Sequence, residues 1–209
     1  AAAGVEGAFY NNGQSCCAVE RIYVHESVYD AYVAAYVEEA KQMKLGNPTE
    51  EETFLGSLTR PQQLAVLEDQ VKDAVDKGAS LLIGGKRLDK TGYFFEPTVI
   101  SNVNHSMKVM MDESFGPIIG IQKVKDDAEA IDLMLDTPYG LTSAVYTNDE
   151  NRALDLMQQL NSGNVYWNCC DRVSPNIPWS GRGASGLGST LSHAGIRTFV
   201  QPKSYHLRG

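Results

Sequence analysis

Apolar positions recur along this 209-residue chain in two periods, one helical and one extended. Val28, Tyr32, Ala35, Tyr36 and Ala40 fall at helical spacing. Ser27 is placed to cap that helix with Asp30 three residues on, and Gly46 to close it. A second helix is predicted over residues 61–77, with Pro61 in its first turn and Gly78 as its stop. Leu64, Leu67, Val71 and Val75 would form its buried face. Shorter helical stretches end near Tyr10 and cover residues 126–135 and 150–160. Extended apolar runs lie at residues 21–25, 80–83, 118–124, 141–146 and 165–168. Residues 94–100 also read as extended, but Pro97 interrupts them and predicts an edge strand.

Strands that alternate with helices predict an α/β fold: an open, largely parallel twisted sheet with flanking helices. Residues 171–188 are rich in proline, glycine and serine and read as a loop, of a length usually tied to function. Residues 198–209 read as a short, partly extended tail, and no internal repeat is visible. One domain with a tail is the economical count.

Composition narrows the class. The chain is 43% hydrophobic and 21% charged, as ordinary globular proteins are. A net charge of −8 argues against nucleic acid or an acidic membrane surface as partner. No apolar run approaches the roughly 18 residues of a membrane span. Nothing around Ala1 has the basic flank and apolar core of a signal peptide, and the abrupt opening suggests that the natural chain starts earlier. The four cysteines form two adjacent pairs, Cys16-Cys17 and Cys169-Cys170, without zinc or redox spacing, and the four histidines are scattered. No metal site is expected, and reduced thiols in a cytoplasmic setting are.

The candidate chemistry begins at Asn11-Asn12-Gly13-Gln14-Ser15-Cys16-Cys17, just ahead of a strand. A glycine bend can present a cysteine's sulfur together with its backbone N–H to a substrate carbonyl. At this level Cys16 and Cys17 read first as two small core residues, since a cysteine without its partners is a weak signal. Gly181-Arg182-Gly183-Ala184-Ser185-Gly186 matches the dinucleotide fingerprint in letters, but that fingerprint works only between a strand and a helix. Ile177-Pro178-Trp179 precedes it and too little chain follows, so the match is read as accidental.

Four segments in order change the balance: Gly13-Gln14-Ser15-Cys16 through Arg21, Glu113-Ser114-Phe115-Gly116-Pro117, Pro138-Tyr139-Gly140-Leu141 and Trp179-Ser180-Gly181. Over essentially its whole length the chain resembles the aldehyde dehydrogenase superfamily. The first two segments are the specific ones, G-Q-x-C-x-x-x-x-R and E-x-F-G-P. The resemblance implies oxidation of an aldehyde to a carboxylic acid with NAD or NADP, through a cysteine thiohemiacetal and then a thioester. Cys16 is similar to the nucleophile, and its backbone N–H to an oxyanion donor. Glu113 resembles the carboxylate that accepts the nicotinamide-ribose hydroxyls, Phe115 the aromatic near the nicotinamide, and Gln63 a ribose contact. Trp179 and Asp171 fall where the family lines its substrate mouth. Arg172 is read as solvated and Trp167 as core.

The resemblance further implies a homo-oligomer, dimer or tetramer, and a layout of a catalytic domain over residues 1–197 with an oligomerisation strand over 198–209. The family's chain is longer. Its general-base glutamate in a Glu-Leu-Gly-Gly context, its oxyanion asparagine and its Rossmann cofactor domain are not among these residues. The expectation is therefore a catalytic part of a longer enzyme, inactive by itself. Two alternatives are a non-catalytic interaction module and a thiol hydrolase that pairs Cys16 with His105 or His193.

Overall fold

The computed structural model describes residues 1–170 and 173–209. Asp171 and Arg172 lie outside the described residues. The chain forms two compact units, Ala1–Asp136 and Thr137–Gly209.

The first unit is built on a four-stranded sheet of order β1-β4-β3-β2. Its strands are β1 (Arg21–His25), β2 (Ser80–Ile83), β3 (Thr98–Ser101) and β4 (Ile118–Val124). β4 pairs in parallel with β1 on one side and with β3 on the other, and β2 closes the sheet antiparallel to β3. β4 is the centre of the sheet, and residues 118–121 are buried, as a strand covered on both faces requires.

Alternating residues feed two cores, because side chains leave a strand on opposite faces in turn. On one face Ile100 and Ile118 pack with Leu64, Leu67, Val71 and Ala74 of α3 (Pro61–Asp76) and with Val109 and Met110 of α4 (Lys108–Met111). On the other face Val99, Ile119 and Ile121 pack with Val5, Ala8 and Phe9 of α1 (Ala2–Phe9) and with Tyr29, Tyr36 and Ala40 of α2 (Tyr29–Lys41). Gly120 sits under α4, where an added Cβ would meet the Met110 sulfur at 2.5 Å. α5 (Asp127–Leu135) ends the unit, with the Asp126 carboxylate accepting the Glu129 N–H as its cap.

The second unit holds β5 (Thr142–Val145), α6 (Glu150–Gln159) and β6 (Asn164–Trp167), a parallel βαβ element with Asp149 capping its helix. A short helix α7 (Ser192–Arg197) follows. No helix of the described residues is long and apolar enough to cross a membrane.

The elements agree with the apolar pattern except where local chemistry or packing intervenes. Ser27 does not cap α2: its hydroxyl pairs with His25 Nδ1 at 2.8 Å, and the helix starts at Tyr29 with Val28 as N-cap. α2 ends at Lys41, short of Gly46. Val75 is 45% exposed, and Gln70 and Ala74 take the buried positions of that face of α3. Pro97 does not make β3 an edge. It stands just before the strand, and pairing begins at Thr98, whose N–H reaches the Pro117 carbonyl at 2.9 Å. Trp167 is not core: it is 37% exposed, and its indole N–H donates to the Thr147 carbonyl at 2.9 Å. α7 carries no periodic stripe long enough to announce it. Residues 198–209 form no strand within the chain.

Tyr23 on β1, His105 and Asp136 form a hydrogen-bonded chain, with Tyr23 Oη 2.8 Å from His105 Nε2 and His105 Nδ1 2.7 Å from an Asp136 oxygen. Burial pushes the Tyr23 phenol up to about 12; Arg21 opposes the shift and Asp136 adds to it. The stability this group contributes is constant below pH ~10, the phenol's unfolded value, and is lost as the pH rises through its folded value. Denaturation midpoints of wild type and Tyr23→Phe should therefore run in parallel below pH ~10, and the wild type should fall faster above it.

Leu67 is fully buried on α3 and touches the position of an added Gly116 Cβ at 2.6 Å. Leu67→Ala is expected to lower the unfolding free energy by about 2–5 kcal/mol, read from urea titration.

Candidate functional site

Two segments far apart in sequence meet in the first unit. Residues 10–20 lead into β1 and residues 112–117 lead into β4. Because β1 and β4 are parallel neighbours in the register Arg21↔Gly120, both leading segments emerge at the same end of the sheet.

The first segment owes its shape to three left-handed residues in a row: Asn11 (φ 50°), Asn12 (φ 58°) and Gly13 (φ 68°). Asparagine and glycine are the residues that enter this region at least cost. The Asn11 side-chain amide closes the turn on the Gln14 carbonyl at 3.0 Å. Gln14 Oε1 accepts the Thr59 N–H at 2.9 Å, and the buried Asn12 amide donates to the Ser57 carbonyl at 3.3 Å, so the segment is tied to the chain ahead of α3. A second turn, Ala18 N–H to Ser15 carbonyl at 3.0 Å, then places Cys16 and Cys17 at its apex. The two thiols part company there. Cys16 is exposed and Cys17 is buried, with Ser15 Oγ 3.2 Å from the Cys17 sulfur. Among the described residues the Cys16 backbone N–H has no hydrogen-bond acceptor.

The second segment is bent at Phe115, a bulky residue at φ 47°, where side chains are rarely found. Three contacts hold it. Glu20 Oε2 accepts the Ser114 N–H at 2.9 Å and Oε1 accepts the Phe115 N–H at 3.1 Å. The Gln63 side-chain amide donates to the Ser114 carbonyl from α3. Gly13 lies so close that an added Cβ would stand 2.2 Å from the Gly116 carbonyl oxygen. Arg21, the last residue of the first motif, donates from Nη1 to the Met110 carbonyl at 3.0 Å, just ahead of the second. Burial raises the Glu20 carboxyl above its ordinary value, against the two backbone N–H groups that favour its charged form.

A cavity of about 270 Å³ opens beside the second segment, lined by Arg60, Gln63, Val66, Glu113 and Phe115. Sequence reasoning named three of these five. Arg60 was missed because it is the N-cap of α3, at a position no motif covers. Glu20 was missed because it falls in a variable slot of G-Q-x-C-x-x-x-x-R. A carboxylate acceptor, an amide and an aromatic ring beside a cation fit the ribose and adjoining groups of a nicotinamide cofactor. Gln63 is buried and Glu113 exposed.

In the second unit Trp179 is half-buried and pairs with Thr190 through two backbone hydrogen bonds of 2.8 and 2.9 Å. The loop hangs on the start of β6: Asn164 Nδ2 donates to the Pro178 carbonyl at 3.0 Å, and a Cβ on Gly163 would stand 1.5 Å from the Ser180 oxygen. Gly181–Gly186 opens no helix. Its residues dock on residues 138–140 instead, through Ala184 N–H to the Pro138 carbonyl at 2.8 Å and Gly140 N–H to Ser185 Oγ at 3.0 Å. Asp171, expected beside Trp179, lies outside the described residues, as does Arg172. Both ring nitrogens of His105 are engaged by Tyr23 and Asp136, which leaves a Cys16–His105 pair without support. Among the described residues no group of three His, Cys, Asp or Glu side chains could hold a metal ion.

The model of the aldehyde dehydrogenase family matches residues 1–205. An aldehyde dehydrogenase of Emericella nidulans is 39% identical over 202 residues, which are 97% of this chain and 41% of that protein. Human retinal dehydrogenase 2 is 36% identical over 199 residues, 95% of this chain and 38% of that protein. The chain thus spans about two fifths of the length of the curated relatives it matches. Among solved structures, Gox0499 superposes with a TM-score of 0.94 at 37% identity, over 99% of this chain and 45% of that one. A 3,6-anhydro-L-galactose dehydrogenase in complex with NAP gives 0.92 at 33% identity, over 96% and 43%. Betaine aldehyde dehydrogenase from Staphylococcus aureus, in complex with NAD+, gives 0.90 at 33%, over 94% and 40%.

Gly13 has both a positive φ and no room for a methyl group, so Gly13→Ala should part the two segments. We expect a loss of more than about 2 kcal/mol of stability, measured by thermal or urea unfolding.

Proposed function

The chain belongs to the aldehyde dehydrogenase family, and from that premise we propose that it supplies the nucleophile and part of the cofactor site for NAD(P)-dependent oxidation of an aldehyde to a carboxylic acid. The observation that carries the reading is the joining of the two segments at one end of the sheet. An exposed Cys16 and a Glu113–Phe115 cavity are held in one framework by Gly13, Glu20 and Gln63.

In this reading the Cys16 thiolate adds to the carbonyl carbon of the aldehyde and forms a carbon–sulfur bond. The carbonyl oxygen becomes an oxyanion and accepts the unused backbone N–H of Cys16. One donor of this kind is worth about 3–4 kcal/mol of barrier. NAD(P), held by Glu113, Gln63 and Phe115, would supply the acceptor for the hydride lost from the same carbon, whose loss leaves a thioester on Cys16. Water then breaks the thioester, releasing the carboxylic acid and returning the thiol. Glu113 accepts the hydroxyls of the nicotinamide ribose, Gln63 gives an amide contact beside it, and Phe115 packs against the ring. Cys17, buried behind the turn, serves packing. Trp179 is assigned to substrate recognition through the family resemblance, and its wide aromatic surface suits an apolar aldehyde tail. A point mutant of Staphylococcus aureus betaine aldehyde dehydrogenase, in complex with NAD+, carries a BME-modified cysteine, which fits a reactive thiol in that relative. Assembly into a homo-oligomer and a cytoplasmic setting complete the reading.

The decisive experiment uses the full natural polypeptide. Cys16→Ser should abolish aldehyde-dependent formation of NAD(P)H, and iodoacetamide labelling mapped by mass spectrometry should favour Cys16 over Cys17. Retention of wild-type turnover in Cys16→Ser would remove the nucleophile from the proposal.

A further inference from the structure

We propose that Glu20 is a positioning residue for the cofactor: its carboxylate holds the 113–117 turn and couples occupancy of the Glu113–Phe115 cavity to the turn that bears Cys16. The inference rests on reading that cavity as the nicotinamide-ribose site.

The geometry is that of a filled anion nest. Successive backbone N–H groups that converge, with one residue in the left-handed region, make a concavity suited to an anion. Ser114 and Phe115 form such a concavity, with Phe115 at φ 47°, and the anion inside is the side chain of Glu20. Each carboxylate oxygen takes one N–H, at 2.9 and 3.1 Å. From the far side the Gln63 amide donates to the Ser114 carbonyl, so the peptide units around Ser114 are gripped from both directions. Gln63 itself lines the cavity.

The choice of a carboxylate is informative. Glu20 is half-buried, and drawing a carboxylate out of water is costly when no cation neutralises it. Among the described residues no ion pair includes Glu20, and its neighbour Arg21 donates to the Met110 carbonyl. Burial raises the Glu20 carboxyl, and the nearby Glu113 charge raises it further. A tie that served the fold alone would carry no such cost with a neutral acceptor. What Glu20 adds is rigidity: charge-assisted bonds to two consecutive N–H groups set the backbone direction immediately after Glu113. Glu20 also stands four positions after Cys16 and directly before β1, so the chain that leaves the Cys16 turn carries the side chain that grips the 113–117 turn.

The test uses the full natural polypeptide. Binding of NAD(P)+ is measured by calorimetry, and the rate of Cys16 alkylation by iodoacetamide is measured with and without saturating cofactor. In Glu20→Gln one oxygen becomes an amide donor facing an N–H, and the cofactor Kd should rise about tenfold. Alkylation without cofactor should stay close to wild type, while the change in rate that cofactor produces in wild type should be lost. The KM for the aldehyde should not move, which separates positioning of the cofactor from general damage. Wild-type cofactor affinity in Glu20→Gln, alongside weakened binding in Glu113→Gln, overturns the role of Glu20 and leaves the ribose site standing. Wild-type affinity in Glu113→Gln overturns the ribose reading, and this inference with it. Should Glu20→Gln fail to fold, Glu20→Asp keeps the charge and shortens its reach by one methylene. It should bind cofactor more weakly than wild type, and unchanged affinity there overturns the proposal.

Discussion

The parallel pairing of β1 with β4 is the constraint on which the candidate site depends. Glu20 and Ser114 are 94 residues apart in sequence, yet they meet because the strands that follow them run side by side in the same direction. The contact tolerates no slack. Gly13 approaches Gly116 backbone to backbone, and a single methyl group on either would collide, with the Gly116 carbonyl in one case and with Leu67 in the other. The core residue Leu67 is thus within reach of the site, so packing of α3 and placement of Glu113 are one mechanical problem.

This arrangement inverts a common expectation for α/β sheets. Ligands usually settle outside the carboxyl ends of parallel strands. Here the exposed cysteine and the cavity both precede their strands and lie at the amino ends of β1 and β4. The N-terminal turn of α3 brings Arg60 and Gln63 to that end. The remaining polar groups come from unusual backbone: three left-handed residues at 11–13 and a fourth at Phe115. Strain of this kind persists only where the surroundings over-determine it, and here Gln14, Asn12, Glu20 and Gln63 each hold one part of it.

Glycine has an analogous part in the second unit. Gly163 lets the Ser180 carbonyl lie directly on the start of β6, and Gly183 at φ 55° lets the chain turn back onto Pro138. The letters of a phosphate cradle are therefore spent on close backbone packing. They hold the Trp179 loop to the Pro138-Tyr139-Gly140 turn.

The sequence by itself determined the class of fold, since alternating strands and helices have their own periods and their own punctuation. Pro61 opens α3, and Gly78, at φ 93°, follows its end. It also determined the identity of the two signature segments, because Asn-Asn-Gly and Phe-Gly-Pro leave the backbone few choices. Only the tertiary structure decided which thiol is exposed, because Cys16 and Cys17 are chemically alike and differ only in which side of a turn they occupy. It alone put Thr98 to Ser101 beside the central strand despite Pro97, left Val75 and Trp167 in water, and gave His105 to Tyr23 and Asp136. It alone also revealed Glu20 and Arg60. A backbone-directed carboxylate has no motif of its own, and its meaning depends on which N–H groups the fold brings to it.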